Sequence, residues 1–408
     1  MPEEQKKIPL WTIFLRFLVI GATSFGGFMA LVSMVQREVV ERKKWLDNEV
    51  LLDAISVASF LPGPLAVNVV AFSGYRMRGM PGALLSMTAV LLPTFLLIVV
   101  LSGLYFSYGQ LPEVSRAFYG IIPAVSAVVA AVAFQMGARQ VGNLVQAAIM
   151  LASFLVIVLI GGFYSTLLIM IFGALAGLFL FGEPKETDIR ESRISAGALR
   201  GFLHANSRFL LGFSALLLLI IVLPWISPLA GGTELSMYRQ LALTFSPVSL
   251  TLFGGGYVFI PMLQQLVVEQ LQWLSAREFA DGIALGQVTP GPILISAAFV
   301  GYKMAGTGGA AVATVAMFLP PALLMLLVSG LIESIKGNSK VISAFRGLRP
   351  AVIGMIAAAA VSLARSAPLD LRALGIGLVV FILITRFKIS AAYLIPLSAI
   401  AGLLLFRN

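Results

Sequence analysis

The chain has 408 residues, 59% of them hydrophobic and only 11% charged, where soluble domains carry about 25% charged residues. Its net charge of +10 sits mostly in short segments between apolar stretches, the pattern of loops held in the cytoplasm rather than of a nucleic-acid surface. There is no cysteine and one histidine, His204, which excludes thiol redox chemistry, Cys/His metal sites, His-ligated haem and a Ser-His triad, so no enzyme, metal or cofactor is expected.

In chain order, residues 1–7 are polar, and the apolar run after them carries Arg16 and no small-residue cleavage motif, so no cleavable leader is expected. Residues 1–182 read as a first transmembrane unit. Phe25-Gly26-Gly27 breaks its first apolar stretch, Trp45 precedes a short segment with acidic residues, and Pro62-Gly63-Pro64 breaks the next stretch. Ala83–Leu104, Ala147–Ile160 and Leu167–Phe181 follow as apolar runs; a span takes about 20 such residues, fewer where flanks snorkel. Residues 183–206 are strongly polar and read as a cytoplasmic linker. Residues 207–232 read as one extra transmembrane helix, and residues 233–408 as a second transmembrane unit.

The second unit repeats the first. Phe253-Gly254-Gly255, Trp273 and Pro290-Gly291-Pro292 stand 228 positions after their counterparts, as do Asp281 after Asp53 and Glu269 after Glu41. One residue is then dropped. Gly301-Tyr302-Lys303 stands 227 positions after Gly74-Tyr75-Arg76, Pro320 after Pro93, and Pro350-Ala351 after Pro123-Ala124. Paired Gly- and Pro-broken segments in corresponding places are the layout of a secondary transporter, with its site where the breaks meet.

A helix starting near Asp47 or Glu49 runs about 12 residues to Pro62, or ~18 Å, little more than half of a ~30 Å hydrocarbon core. The chain therefore turns near mid-membrane. Lys6 and Lys7, then Arg37, Arg42, Lys43 and Lys44, then Arg76 and Arg78 all favour the cytoplasm, which is met if both broken segments are re-entrant hairpins. Irregular backbone at that depth must be buried in protein or line a cavity. The expected fold is an all-α polytopic membrane protein of two inverted-topology repeats. Each has two re-entrant hairpins and about four transmembrane helices, and one extra helix joins them. That gives nine crossings, the N-terminus inside and the C-terminus outside, with Arg365 and Arg372 as exceptions to the charge rule.

Each break reads as a tip followed by a fresh helix N-terminus, carrying roughly half a positive charge and unpaired N–H donors. Four such ends that converge suit a divalent oxyanion. The candidate substrate-binding residues are Gly26, Gly27, Pro62, Gly63, Pro64 and Asn68 in the first half. In the second they are Gly254, Gly255, Gly256, Thr289, Pro290, Gly291, Pro292 and Ser296. Thr23, Ser24, Ser59 and Gln287 lie just before the breaks; these polar side chains either donate to the anion or bond between helices. Arg16, Asp53, Arg76, Asp281 and Lys303 are pathway or coupling candidates. Arg16 either steers the anion or snorkels, Arg76 and Lys303 either line entrances or anchor helix ends, and the aspartates either titrate or face a helix dipole.

The paired Phe-Gly-Gly and Pro-Gly-Pro motifs, with a Trp before each second hairpin, resemble the chromate ion transporter (CHR) family over nearly the whole chain. The resemblance implies an inner-membrane exporter of chromate, with sulfate as another tetrahedral dianion, and sets the two glycine motifs at or near the anion path. The second tip, Phe253-Gly254-Gly255-Gly256, is one glycine longer than the first. The expectation is therefore a secondary transporter in the inner (plasma) membrane, with a passive oxyanion channel using the same path as the alternative. The partners expected are the oxyanion and the lipid bilayer, with no nucleic acid, and a homodimer on general grounds.

Overall fold

A computed structural model of the chain describes residues 8–25, 28–109, 111–161, 163–181, 233–252, 257–328, 339–368 and 370–406. The linker at 183–206, the extra segment at 207–232 and the glycines Gly26, Gly27, Gly254, Gly255 and Gly256 lie outside these residues. Among the described residues there are fourteen α-helices and no strand. The first seven are α1 (Leu10–Thr23), α2 (Phe28–Val35), α3 (Asn48–Phe60), α4 (Leu65–Tyr108), α5 (Pro112–Gln140), α6 (Leu144–Leu159) and α7 (Phe163–Leu180). The second seven are α8 (Thr233–Ser249), α9 (Phe259–Gln264), α10 (Ala276–Val288), α11 (Ser296–Val328), α12 (Ser339–Arg365), α13 (Leu371–Thr385) and α14 (Ala391–Leu405).

Four of these segments are long and apolar enough to cross a membrane: Leu65–Tyr108, Pro112–Gln140, Ile293–Val328 and Ile342–Arg365. Five shorter helices are also apolar, among them Leu144–Leu159, Leu371–Thr385 and Ala391–Leu405. These carry Leu144, Leu371 and Leu374 fully in the open. A helix that is apolar on its outer face as well as its inner one faces lipid. The starts follow ordinary capping rules: Asn143 accepts from Gln146, Ser275 and Glu278 form a reciprocal capping box, and Pro112 opens α5.

The duplication read from the sequence is present in the backbone. After α2 and α9 the chain widens into π-helix, at Gln36–Arg42 and at Gln265–Gln270. Each π segment ends in a left-handed residue, Lys44 and Gln272, followed by a bond from Trp45 N to Val39 O and from Trp273 N to Val267 O. Positive φ recurs at Gly63 and Gly291 and at Gly79 and Gly306. All these pairs keep the sequence offsets.

The long helices α4 and α11 are folded back on themselves. Arg78 and Gly79 in one, and Ala305 and Gly306 in the other, leave helical geometry. The two arms of α4 then run antiparallel, with Gly74 against the Gly82 carbonyl and Ser86 Oγ donating to Val70 O at 3.1 Å. In α11, Gly301 packs on the Gly309 carbonyl in the same way. In the second half the helix before Pro-Gly-Pro also packs antiparallel to the arm after it, Gly282 meeting the Phe299 ring and Gly286 meeting Ser296, and in the first half α3 packs on α4. Each Pro-Gly-Pro is thus the tip of a helical hairpin.

Contacts between the halves are exchanged. The α5 helix packs on α13 and α14, while its counterpart α12 packs on α6 and α7. Small residues permit the approach: Gly120 sits against Gly402, and Gly347 against Gly173 and Gly177. The pair α5 and α12 is itself antiparallel, because Ser126 Oγ donates to Ala360 O at 2.7 Å near one crossing and Gly137 approaches Ile353 near the other.

Replacing Gly301 by Leu drives a side chain into the Gly309 carbonyl and is expected to cost about 1–3 kcal/mol, read as a melting temperature lowered by several degrees in detergent. Gly375→Leu, where nothing lies within 4 Å, is expected to leave it unchanged or raise it.

Candidate functional site

The two tips meet the opposite half. Gly63 N donates to Leu252 O at 2.6 Å, and Gly291 N donates to Ser24 O at 2.9 Å. Ser24 and Leu252 occupy matching positions, so the two bonds interchange when the halves are exchanged. Each accepting carbonyl stands at the end of the described stretch before a Phe-Gly-Gly motif, so each Pro-Gly-Pro tip is tied to the segment leading into that motif in the opposite half. The level is central: Thr94, midway along the arm that runs from Gly79 to Tyr108, donates its hydroxyl to Pro290 O. Only glycine fits here. Gly63 and Gly291 have φ of 104° and 107°, and a Cβ on Gly291 would stand 2.7 Å from Thr94 Oγ1.

Two cavities reach these tips. The larger, of about 630 Å³, is floored by Gly291, Thr289, Gln287, Gly286 and Tyr257 and walled by Val128 and Val132. It opens between Arg139, at the end of α5, and Lys388, in the turn between α13 and α14. Both bases are exposed. The smaller, of about 320 Å³, holds Gly63, Leu61, Ser59, Ala58 and Met29, with Arg349 of α12 and Gln140 of α5 opposite. Six of its residues match those of the larger cavity by the repeat: Met29 with Tyr257, Ala58 with Gly286, Ser59 with Gln287, Leu61 with Thr289, Gly63 with Gly291 and Leu65 with Ile293. The second-half version is the more polar. Gln287 Nε2 is buried there within reach of the Tyr257 hydroxyl, placing an amide donor beside a cavity with two bases at its mouth.

The residues singled out from the sequence divide into groups. Gly63, Thr289 and Gly291 line cavities, and Pro62, Pro64, Pro290 and Pro292 shape the tips. The amides of Gly63 and Gly291, expected to be unpaired donors, are engaged by the opposite half. The remaining donors are the first-turn amides after each Pro-Gly-Pro, which have no intrahelical acceptor. Asn68 is fully buried and donates to Pro62 O at 3.2 Å; Ser296 donates to Ile293 O at 3.0 Å. Both hold their own hairpins closed and line neither cavity.

Arg16 lies 3.4 Å from Glu38, which also takes Arg42 at 3.2 Å. It fastens α1 to the π segment and lies outside both cavities. Arg76 is exposed, its guanidinium 5.7 Å from the Phe72 ring centre. Asp53 is half-buried. Lys303 pairs with Glu278 at 2.8 Å, and Asp281 is buried against Tyr105. The last two sit at the end of the molecule opposite Arg139. Tyr257, Gln135, Arg139 and Lys388 were not among the substrate candidates. Their signal, a base or polar group on a helix end, is common to every loop of a basic membrane protein.

A model of the chromate transporter family matches residues 11–178 and 239–403. The chain belongs to the chromate transporter family. It is 30% identical over 404 residues to a "Probable chromate transport protein" of Synechococcus elongatus, covering 96% of this chain and 94% of that protein. It is 28% identical to a "Chromate transport protein" of Cupriavidus metallidurans, over 96% of this chain and 92% of that one. A "Chromate transport protein" of Pseudomonas aeruginosa is 28% identical over 97% of this chain and 92% of its own length. No solved structure matches the chain. The match leaves residues 179–238 uncovered.

The cavity makes a simple accessibility prediction. The chain has no native cysteine, so a single Thr289→Cys variant in sealed vesicles is expected to react rapidly with a membrane-impermeant thiol reagent applied on the Arg139 side. Ala298→Cys, at a fully buried position, is expected to stay unlabelled.

Proposed function

We propose that this protein exports chromate, or a related tetrahedral dianion such as sulfate, from the cytoplasm across the inner membrane by alternating access. The anion binds at the Pro290-Gly291-Pro292 tip. The observation that carries the reading is the buried Gln287 amide, set beside the Tyr257 hydroxyl at that tip, in a cavity of the size that takes a small ligand with water. Arg139 and Lys388 at the mouth raise the local concentration of an anion, and the first turn of the helix after Pro292 adds backbone donors and the positive end of a dipole. The names of the relatives support chromate as the substrate.

Orientation follows from charge. Arg139, Arg386 and Lys388 lie at one end of α5 and α13, and Arg78 donates to Ile8 O at the turn that begins the outgoing arm of α4. By the positive-inside rule this is the cytoplasmic end, which directs the larger cavity inward. The two halves then form inverted repeats: α5 and α12, counterparts by sequence, run antiparallel, so exchanging the halves reverses the direction through the bilayer. On this reading the re-entrant hairpins α1–α2, α3–α4, α8–α9 and α10–α11 carry the tips, and one set moves against the other.

The test is labelled chromate flux in proteoliposomes of the purified chain. Chromate on the opposite side is expected to accelerate flux, as in a carrier; its absence would leave a channel. Gln287→Leu is expected to weaken half-saturation about 10- to 100-fold, the loss of one hydrogen bond to a charged group. Gly291→Leu is expected to abolish flux, and undiminished transport in that variant would remove the tip from the pathway.

A further inference from the structure

A buried carboxylate lies outside the oxyanion cavity and the transport path does not use it. Asp281, in the middle of α10, is 1% exposed. Tyr105 Oη donates to its Oδ2 at 2.6 Å, and Arg277 Nε stands 4.0 Å from the same oxygen. Oδ1 is buried with no partner at all. An ionised carboxylate offers about four acceptor positions, and a charge held in an apolar interior with most of them empty is costly unless it is neutralised. Around it stand the rings of Phe106, Phe118 and Phe299, all within 5.5 Å of the Tyr105 ring centre.

The charged and titratable groups near it come from few elements. On α10 itself they are Arg277 and Glu278, and Glu278 is held by Lys303 of α11. Tyr302 of α11 stacks on Phe106. From α4 there is Tyr105. From α5 there are Glu113, Arg116 and Tyr119; Arg116 pairs with Glu113, and Arg277 donates to Ser115 and lies over the Tyr119 ring. The parts of α9 and α14 offer no charged side chain. Arg277, 4.0 Å from Oδ2, is half-exposed and also engaged by Ser115 and the Tyr119 ring, and the unpartnered Oδ1 is left for a proton.

Its place in the fold gives this proton a direction. Arg277, half-exposed, connects Asp281 to the end of the molecule where α5 begins. The oxyanion cavity opens where α5 ends, at Arg139. The residues between Ser115 and Arg139 span about 36 Å of helix at 1.5 Å per residue, a full membrane thickness. Both sites sit on one hairpin, since α10 carries Asp281 along its length and Gly291 at its tip. The first half has no duplicate of this pair: Asp53 is less enclosed, and the position matching Tyr105 is Ile332.

We infer that Asp281 is the proton-binding site of an oxyanion–proton exchanger, loaded from the face opposite the Arg139–Lys388 mouth and released as the α10–α11 hairpin changes partners with α4. The inference rests on the oxyanion-transport reading and adds to it a coupling ion and a residue. When the proton binds, Asp281 becomes neutral and its Oδ1 gains a hydrogen. The tie from Tyr105 then loses its charged acceptor and weakens, freeing the hairpin that forms the anion site.

The test uses the full chain in proteoliposomes with the membrane potential clamped. Three quantities are read: chromate–chromate exchange, chromate flux driven by an imposed pH gradient, and proton movement reported by an internal pH dye. The wild type is expected to show all three, with protons moving against the chromate. Asp281→Asn is expected to keep exchange within about a factor of two and to lose the pH-driven flux and the proton signal. Tyr105→Phe, which removes a donor to the charged form, is expected to keep coupling and to move the pH of half-maximal driven flux upward. Driven flux that survives in Asp281→Asn, or a Tyr105→Phe profile that does not move, overturns the inference. So does a folded, monodisperse Asp281→Asn that loses exchange as well, which makes the pair a structural latch. Wild-type protein that exchanges chromate but moves no protons overturns the coupling alone, whereas wild-type protein with no exchange overturns the oxyanion reading beneath it.

Discussion

Gly63 and Gly291 each surrender the amide hydrogen at a hairpin tip to a carbonyl of the other half, and the rest of the architecture depends on that exchange. A turn in mid-membrane leaves backbone groups that neither lipid nor water will satisfy. A tip satisfied within its own half would allow the halves to separate or slide. Here the acceptors, Ser24 O and Leu252 O, stand at breaks in the partner half, so each discontinuity resolves the polar deficit of another. The positive φ at the two glycines follows from the same constraint, because the tip must present its N–H outward while Pro62 and Pro290 hold the approach.

The symmetry is one of backbone, and the side chains have departed from it. Thr94 ties its hydroxyl to Pro290 O at the second tip, whereas the matching residue, Pro321, only presses its ring on Gly63 at the first. The cavity at the second tip gained Tyr257, Gln287 and Thr289 where the first has Met29, Ser59 and Leu61. Packing has diverged as well. The first-half hairpins gather around their own core, with Ile13, Phe17, Val57 and Val69, while the second-half hairpins are continuous with the core shared by α5 and α12. The second half thus holds the more polar pocket within the main core, while most of the first-half hairpin residues form a second cluster that Met325 of α11 joins.

The repeat was legible in the sequence because its breaks require residues that nothing else replaces. A left-handed tip needs glycine, a helix start without an N–H takes proline, and both survive duplication at fixed spacing. The break at Pro62 was legible as a half-length run ending in Pro-Gly-Pro, with Arg76 and Arg78 marking the next turn. Side-chain destinations were not. Asn68 and Ser296 look like anion donors at matched places, yet a short polar side chain one turn past a tip finds a backbone carbonyl of its own hairpin first. Arg16, conspicuous in an apolar arm, is answered by Glu38 in the returning segment. The outward arginine Arg372 bonds to Leu405 O and lies near Asp370, so its charge is tied to a helix end and says little about sidedness. Tyr105 and Asp281 are 176 residues apart, and Gly291 and Arg139 come from different halves; no local pattern joins them.

Electrostatics orders what the backbone leaves open. The two exposed bases at one end, Arg139 and Lys388, stand apart from carboxylates within the larger cavity's lining, so their field reaches into the cavity toward the Gly291 tip. At the other end, Lys303 and Arg116 are each matched to a glutamate, and the local field is short-ranged. An anion therefore meets attraction on one side of the tip and near-neutrality on the other. On the proposed transport reading, a site with that gradient takes up the anion from the basic side and releases it toward the neutral one. On that reading directionality rests on the paired bases at one end, Arg116 and Lys303, and Arg139 and Lys388 at the other, with the helix N-terminus at the tip where the two environments meet.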